Sequence, residues 1–232
     1  MKLLIVDVET TGLDPKTDKV TEIAMVGYET DNKRILNVSS YLIQREEPLP
    51  EIIKDITGLT DANLRNGTTP KIAAGVLAAM MSGCNYIVGH NISEFDIHFI
   101  NGLLKEGDIS PRDYKLIDTR TDLPLNPQPK SRSLEALCVA HEFLNYFPHS
   151  ALGDALVTMK LLSKYDINEV IARAAQPTIA VRAVVSYENK DLAKARGFHW
   201  VPEQKIWKIT MKESDYNPKD YDFKTQVIKD KE

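Results

Sequence analysis

Cysteine is nearly missing from this chain. Among 232 residues there are two, Cys84 and Cys138. Neither belongs to a CxxC pair, which excludes a disulfide framework and a cysteine zinc site and points to a reducing compartment. Long apolar runs are missing too. The longest, residues 72–81, falls far short of the ~20 residues that a membrane span needs. The apolar stretch after Met1-Lys2 stops at Asp7, too short for a secretory signal, so the expected setting is cytoplasmic, with no membrane. Positive charge is not in excess: 29 Lys and Arg face 33 Asp and Glu, a net −4. That balance argues against coating nucleic acid by bulk charge and leaves room for local basic patches. Eleven glycines and twelve prolines are too few for a collagen-like or low-complexity chain. There is no GxxxxGK[ST] phosphate loop, GxSxG elbow or HExxH helix. The five histidines, including His98, His141 and His199, show no zinc spacing.

What is present is an alternation of strand and helix patterns. Residues 3–8 form a β-branched apolar run, the mark of a strand buried on both faces. Residues 20–28 and 34–43 read as two antiparallel strands around Asp31-Asn32. Residues 85–89 and 115–117 read as two more. Helical spacing appears over 71–81, 94–105, 133–143 (capped by Ser133) and 152–165, with short helical pieces over 48–70. This predicts an α/β layer fold with a mixed five-stranded sheet flanked by helices. Pro177 marks a change. A strand pattern over 179–187, a short helix over 189–196 ended by Gly197, and a hairpin around Pro202-Glu203-Gln204 predict a small α+β C-terminal module. From residue 177 onward 11 Lys and Arg face 9 Asp and Glu, whereas the first 176 residues carry 18 against 24. The predicted domains are therefore 1–175 and 177–232.

Three clues carry chemistry. Asp7 and Glu9 stand two apart at the end of a buried strand, so both carboxylates share one face. They are either two solvated surface acids or a site for a hard divalent cation. Asp154 lies on the inward face of its helix with Ala151, Ala155, Thr158 and Leu162. It needs a partner or a metal there, unless the helix N-terminus alone stabilises it. His149, five residues earlier, can converge with Asp154 only from the loop before the helix. Asp96 follows the fourth strand, where α/β sheets bind ligands, and Phe95 beside it is expected to pack inward.

In order, Asp7-Val8-Glu9-Thr10-Thr11-Gly12, Gly89-His90-Asn91 with Phe95-Asp96, and His149-Ser150-Ala151-Leu152-Gly153-Asp154 resemble the three motifs of the DEDDh 3′→5′ exonucleases. That group includes the proofreading subunit of bacterial replicative DNA polymerase. Residues 56–60 and 133–138 also resemble family segments, and the likeness spans roughly residues 1–170. It implies a ribonuclease H-like fold and two divalent metal ions, Mg²⁺ or Mn²⁺, held by Asp7, Glu9, Asp96 and Asp154. It further implies His149 as the base that takes a proton from water, and Thr10, Thr11, Gly12, Asn91 and Phe95 as substrate contacts. Two departures stand out. Asp96 follows His90 by six residues rather than five, and Thr57 stands where many relatives have histidine. The function implied is release of nucleoside 5′-monophosphates from single-stranded or frayed 3′ ends of DNA, with a DNA polymerase or other replication or repair protein as partner. An exoribonuclease acting on RNA and a silent nucleic-acid-binding adaptor are the alternatives. In the tail, Trp200 and Trp207 among Lys190, Lys194, Arg196, Lys205 and Lys208 either stack bases or form a small core.

Overall fold

The computed structural model describes residues 1–125 and 131–228. In chain order the first part contains β1 (Lys2–Thr10), β2 (Val20–Glu29), β3 (Arg34–Leu42), α1 (Glu51–Thr57), α2 (Asp61–Arg65), α3 (Pro70–Ser82), β4 (Tyr86–Gly89), α4 (Asp96–Glu106), β5 (Leu116–Asp118), α5 (Leu134–Ala140), α6 (Ala151–Leu162) and α7 (Ile167–Ala174). The alternation of side chains along β1 builds the layers. Leu3 and Ile5, with Ala24 and Val26 of β2, pack against α5 and α6. Leu4, Val6 and Val8, with Ile23 and Met25, pack against α3 and α4. Both faces are covered, which is why β1 reads as a continuous apolar run.

The sheet is mixed and five-stranded, in the order β3-β2-β1-β4-β5. β1, β2 and β3 are antiparallel neighbours, while β4 and β5 run parallel to β1. The carboxyl ends of β1, β4 and β5 therefore open on one side, the usual ligand side of such sheets. β1 runs past Val8 to Thr10, because Glu9 and Thr10 still pair with β2, across a register shift.

The second part holds β6 (Thr178–Val184), α8 (Lys190–Ala195), β7 (His199–Val201), β8 (Ile206–Lys212) and β9 (Lys224–Ile228). It forms an antiparallel sheet in the order β7-β8-β6-β9. Ala193 of α8 packs with Val181, Ala183 and Phe198 in a core of its own. Trp207 packs against that core, and Trp200, its cross-strand neighbour with ring centroids 5.6 Å apart, is 47% exposed. Trp207 thus takes the core reading of the tail, while Trp200 stays exposed at the edge strand. Residues 229–232 of the expected module lie outside the described residues.

Differences from the sequence reading are local. α7 is shorter than the window in which helical periodicity shows, and only Val170 in it is fully buried. β9 has a mostly exposed pattern and exists through its pairing with β6. The strand predicted over 179–187 stops at Val184, and an irregular residue pair and a 3₁₀ turn lead into α8.

Buried charge joins the two sheets. Lys212 Nζ lies 2.9 Å from Asp122 Oδ1 and donates to the carbonyls of Ala174 and Gln176. Asp215 accepts from Arg173 at 2.6 Å and Arg132 at 3.2 Å. Among the described residues no helix is long and apolar enough to cross a membrane.

Candidate metal centre

Asp7 and Glu9 continue the stripe begun by Leu3 and Ile5, so their carboxylates lie beneath α6. Asp154, in the first turn of α6, meets them there. Oxygens of Asp7, Glu9 and Asp154 lie within 4.8 Å of one another. Asp96 arrives as the first residue of α4 and is buried. Its Oδ1 accepts the backbone N–H of Val8 at 3.2 Å, between Asp7 and Glu9. The structure thus groups Asp7, Glu9 and Asp154 at the end of β1 and sets Asp96 beside them, where its charge acts on Asp7.

Their electrostatics is one-sided. Burial, then the charges of Asp96, Asp154, Glu9 and Glu22, hold the Asp7 carboxyl well above the usual range. Burial and the neighbouring carboxylates push Glu9 up to about 8. Asp96 rises to about 7, chiefly through burial. Asp154 is also raised by burial, opposed by hydrogen bonds from Asn145 and His149. Among the described residues no lysine or arginine forms an ion pair with any of the four. Like charges gathered under a helix without a counter-charge are costly. An all-oxygen donor set with this surplus fits hard divalent cations such as Mg²⁺ or Mn²⁺.

His149 does come from the loop before α6, with φ 62°. Its backbone N–H donates to Asp154 Oδ2 at 3.2 Å, and the residue is exposed. Its side chain therefore flanks the cluster without joining it. Asn145 holds the other oxygen of Asp154 through its side-chain amide. The loop folds back so tightly that a Cβ on Gly153 would run into the Phe147 carbonyl. Gly153 is what permits the loop to lie over the first turn of α6.

Three residues of the site escaped the sequence reading. Glu22 pairs with Glu9 across β1 and β2, accepts from Ser40 Oγ at 2.9 Å, and receives the N–H of Ala151 at the start of α6. A single acid inside the apolar run of β2 was its signal. Asn145 had none. Asp118, at the end of β5, accepts the N–H groups of Asn91 (2.8 Å) and Ser93 (3.1 Å), while its own N–H donates to Asp122. It shapes the loop that delivers Asp96.

The remaining predicted positions border the cluster. Thr10 Oγ1 donates to the Gly12 carbonyl at 2.6 Å. Thr11 Oγ1 donates to Asp18, whose carboxylate covers Gly12 where a Cβ would stand. The missing side chain of Gly12 thus makes room for Asp18. Asn91 sits at φ 68°, and its carbonyl accepts from the N–H of Phe95. Phe95 packs on Phe99 with centroids 4.8 Å apart, as expected. Thr57 ends α1, with its hydroxyl donating to the Ile53 carbonyl and accepting from the Leu59 N–H.

Comparison with known proteins shows the family and the fold. A DNA polymerase III PolC-type from Mycoplasma pneumoniae is 32% identical over 141 residues, covering 60% of this chain and 10% of the relative. The 3′-5′ exonuclease DinG of Bacillus subtilis is 28% identical over 180 residues, covering 77% of this chain and 19% of the relative. The chain thus spans only about a tenth to a fifth of these curated relatives. Among solved structures, E. coli Exonuclease I in complex with a dA16 oligonucleotide matches with a TM-score of 0.64 at 15% identity, over 98% of this chain and 62% of that one. The nuclease domain of 3′hExo, a DEDDh family member, bound to rAMP, matches with a TM-score of 0.60 at 16% identity, over 70% of this chain and 90% of that one. These likenesses establish the ribonuclease H-like exonuclease fold. Residues 179–228 match a domain of unknown function, DUF8626. Residues 4–162, which carry every carboxylate of the cluster, match the RNase_T exonuclease model, and the chain belongs to that metal-dependent exonuclease family.

Proposed function

We propose that the chain is a 3′→5′ exonuclease that hydrolyses the terminal phosphodiester at single-stranded or frayed 3′ ends of DNA and releases nucleoside 5′-monophosphates. The observation that carries this reading is the convergence of Asp7, Glu9, Asp96 and Asp154 at the end of β1, with the His149 loop folded onto Asp154. These carboxylates would hold two divalent ions, Mg²⁺ or Mn²⁺. Such a pair, when bound, activates water and stabilises the leaving oxygen of a phosphodiester displacement. His149, exposed beside the cluster, takes the proton of the attacking water on an imidazole nitrogen. The new bond forms between water oxygen and phosphorus. The bond to the 3′-oxygen breaks, and that oxygen is protonated from solvent. The Thr10–Gly12 turn and the Asn91–Phe95 loop flank the place where the terminal nucleotide would lie.

In the same proposal residues 1–175 form the catalytic domain and those from 177 an accessory module, and the protein works in the cytoplasm. The PolC-type relatives favour a DNA polymerase as partner. The deciding experiment sets end-labelled DNA beside end-labelled RNA with Mg²⁺ or Mn²⁺, for wild type and Asp7→Ala. Shortening of DNA from its 3′ end by wild type alone supports the reading. Preference for RNA makes the chain an exoribonuclease, and binding without cleavage makes it an adaptor.

A further inference from the structure

The four strands of the second sheet contain no acidic residue. Their register places the cations in a row. Arg182 of β6 pairs with Lys208 of β8, and Lys208 pairs with His199 of β7. Directly paired residues of antiparallel strands share a face, and so do residues two or four apart on one strand. The row therefore lies on the face of Lys212, which turns toward the first sheet to meet Asp122. The opposite face is taken by α8 and the core around Ile209 and Trp207.

The row leads toward the catalytic side. Arg120 follows β5, at the same sheet end as the carboxylate cluster. Arg120 and the Arg196-Gly197 corner before β7 line a common cavity of about 290 Å³. His199 is close enough to Arg120, and to Glu94 in the loop preceding Asp96, for their charges to act on its imidazole. Among the described residues Glu94 faces His199 at this end of the row, and Asp215 and Asp220 line the cavity beside Arg120. His199 is exposed, and Arg182, Lys208 and Arg120 are half-buried.

We propose that Arg120, His199, Lys208 and Arg182 form a track for the phosphates of single-stranded DNA on the 5′ side of the terminal nucleotide, so that the second sheet guides the strand into the site. The proposal rests on the exonuclease reading and gives that site its path for long substrates.

The test is equilibrium binding of a fluorescent oligodeoxynucleotide of about 20 nucleotides, with metal chelated, across a range of salt concentrations. The Arg182→Gln/Lys208→Gln pair should weaken binding by roughly tenfold or more at low salt. It should also flatten the plot of log affinity against log salt by about 1.4, at about 0.7 for each phosphate of a single strand that is no longer neutralised. The single change Lys208→Gln should flatten it by about 0.7. Arg182→Lys/Lys208→Arg should keep both affinity and slope, and all variants should turn over a dinucleotide at the wild-type rate. An unchanged slope in Lys208→Gln, or equal weakening in the charge-retaining pair, overturns the track. Failure of wild type to shorten any DNA would instead overturn the exonuclease reading, which the chelated binding measurement does not depend on.

Discussion

Two groups of buried charge occupy this molecule and are handled in opposite ways. At the end of β1, four carboxylates crowd together with no basic partner among the described residues. Between the sheets, Lys212 meets Asp122, and Arg173 and Arg132 meet Asp215. The first group is destabilised by its own repulsion until a cation arrives. The second is matched within the fold. Buried like charge marks the place reserved for a ligand, and buried opposite charge marks a place where two parts of the chain are fastened.

The largest effect should come from breaking the unmatched group. Asp7→Ala should lower hydrolysis of a labelled strand roughly 10³-fold or more, by loss of the electrostatic stabilisation that bound metal provides. The same change should raise the melting temperature of chelated protein, because a repelling charge is gone. A variant that cleaved normally, in a preparation free of contaminating nuclease, would disqualify the cluster. His149→Ala should lower turnover by roughly 10²–10⁴-fold, the range of general acid–base catalysis. Metal titrations and DNA binding should change little. If metal binding were abolished and turnover at saturating metal kept, His149 would be a ligand.

The matched group predicts a different phenotype. Lys212→Met should cost roughly 3–5 kcal/mol of stability in chemical unfolding, since Asp122 is left charged and buried. Asp122 Oδ2 also accepts the N–H of Asp118, whose carboxylate orders the loop from Asn91 to Ser93 before Asp96. The variant should therefore bind Mg²⁺ more weakly as well. A wild-type unfolding midpoint would show that Lys212 contributes no fastening. The same ion pair means that cutting the chain near Gln176 takes the counter-charge from Asp122, so a fragment ending there should be less stable than the whole chain.

The smallest effect is in the pH dependence. Glu9 at about 8 and Asp96 at about 7 titrate above their ordinary values in the folded chain. Their contribution to stability is complete below about pH 4, where both states hold the protons. It is lost as pH rises through 7 and 8, when the folded site must ionise. Chelated protein should therefore melt at progressively lower temperature between about pH 5 and pH 9. Saturating Mg²⁺ should remove most of that slope. A slope of opposite sign would mean that a counter-charge already neutralises the cluster.

Much of the first sheet was legible because burial on both faces leaves a local trace. β1, β2 and β4 appear as apolar runs, and the antiparallel pair around Asp31-Asn32 forms as the turn chemistry indicated. α7 and β9 were not legible. The helix is too short for its period to stand out, and the edge strand buries almost nothing of its own. The site divides the same way. The spacing of Asp7 and Glu9 is a property of any strand, and Gly153 beside Asp154 is written in the motif. The support of Asp154 by Asn145, and of the α6 start by Glu22, appears only when the layers close.

The sequence by itself determined which carboxylates face one way, because side-chain direction follows backbone period over a few residues. It also determined the order of the motifs and the change of character at Pro177. Only the tertiary structure decided that Asp96 grips the N–H of Val8, 88 residues away, that Glu22 anchors α6 across 129 residues, and that Lys212 reaches Asp122. Contacts over such separations depend on how whole layers pack. No local period encodes them, because each partner satisfies its own backbone pattern whether or not the other is near.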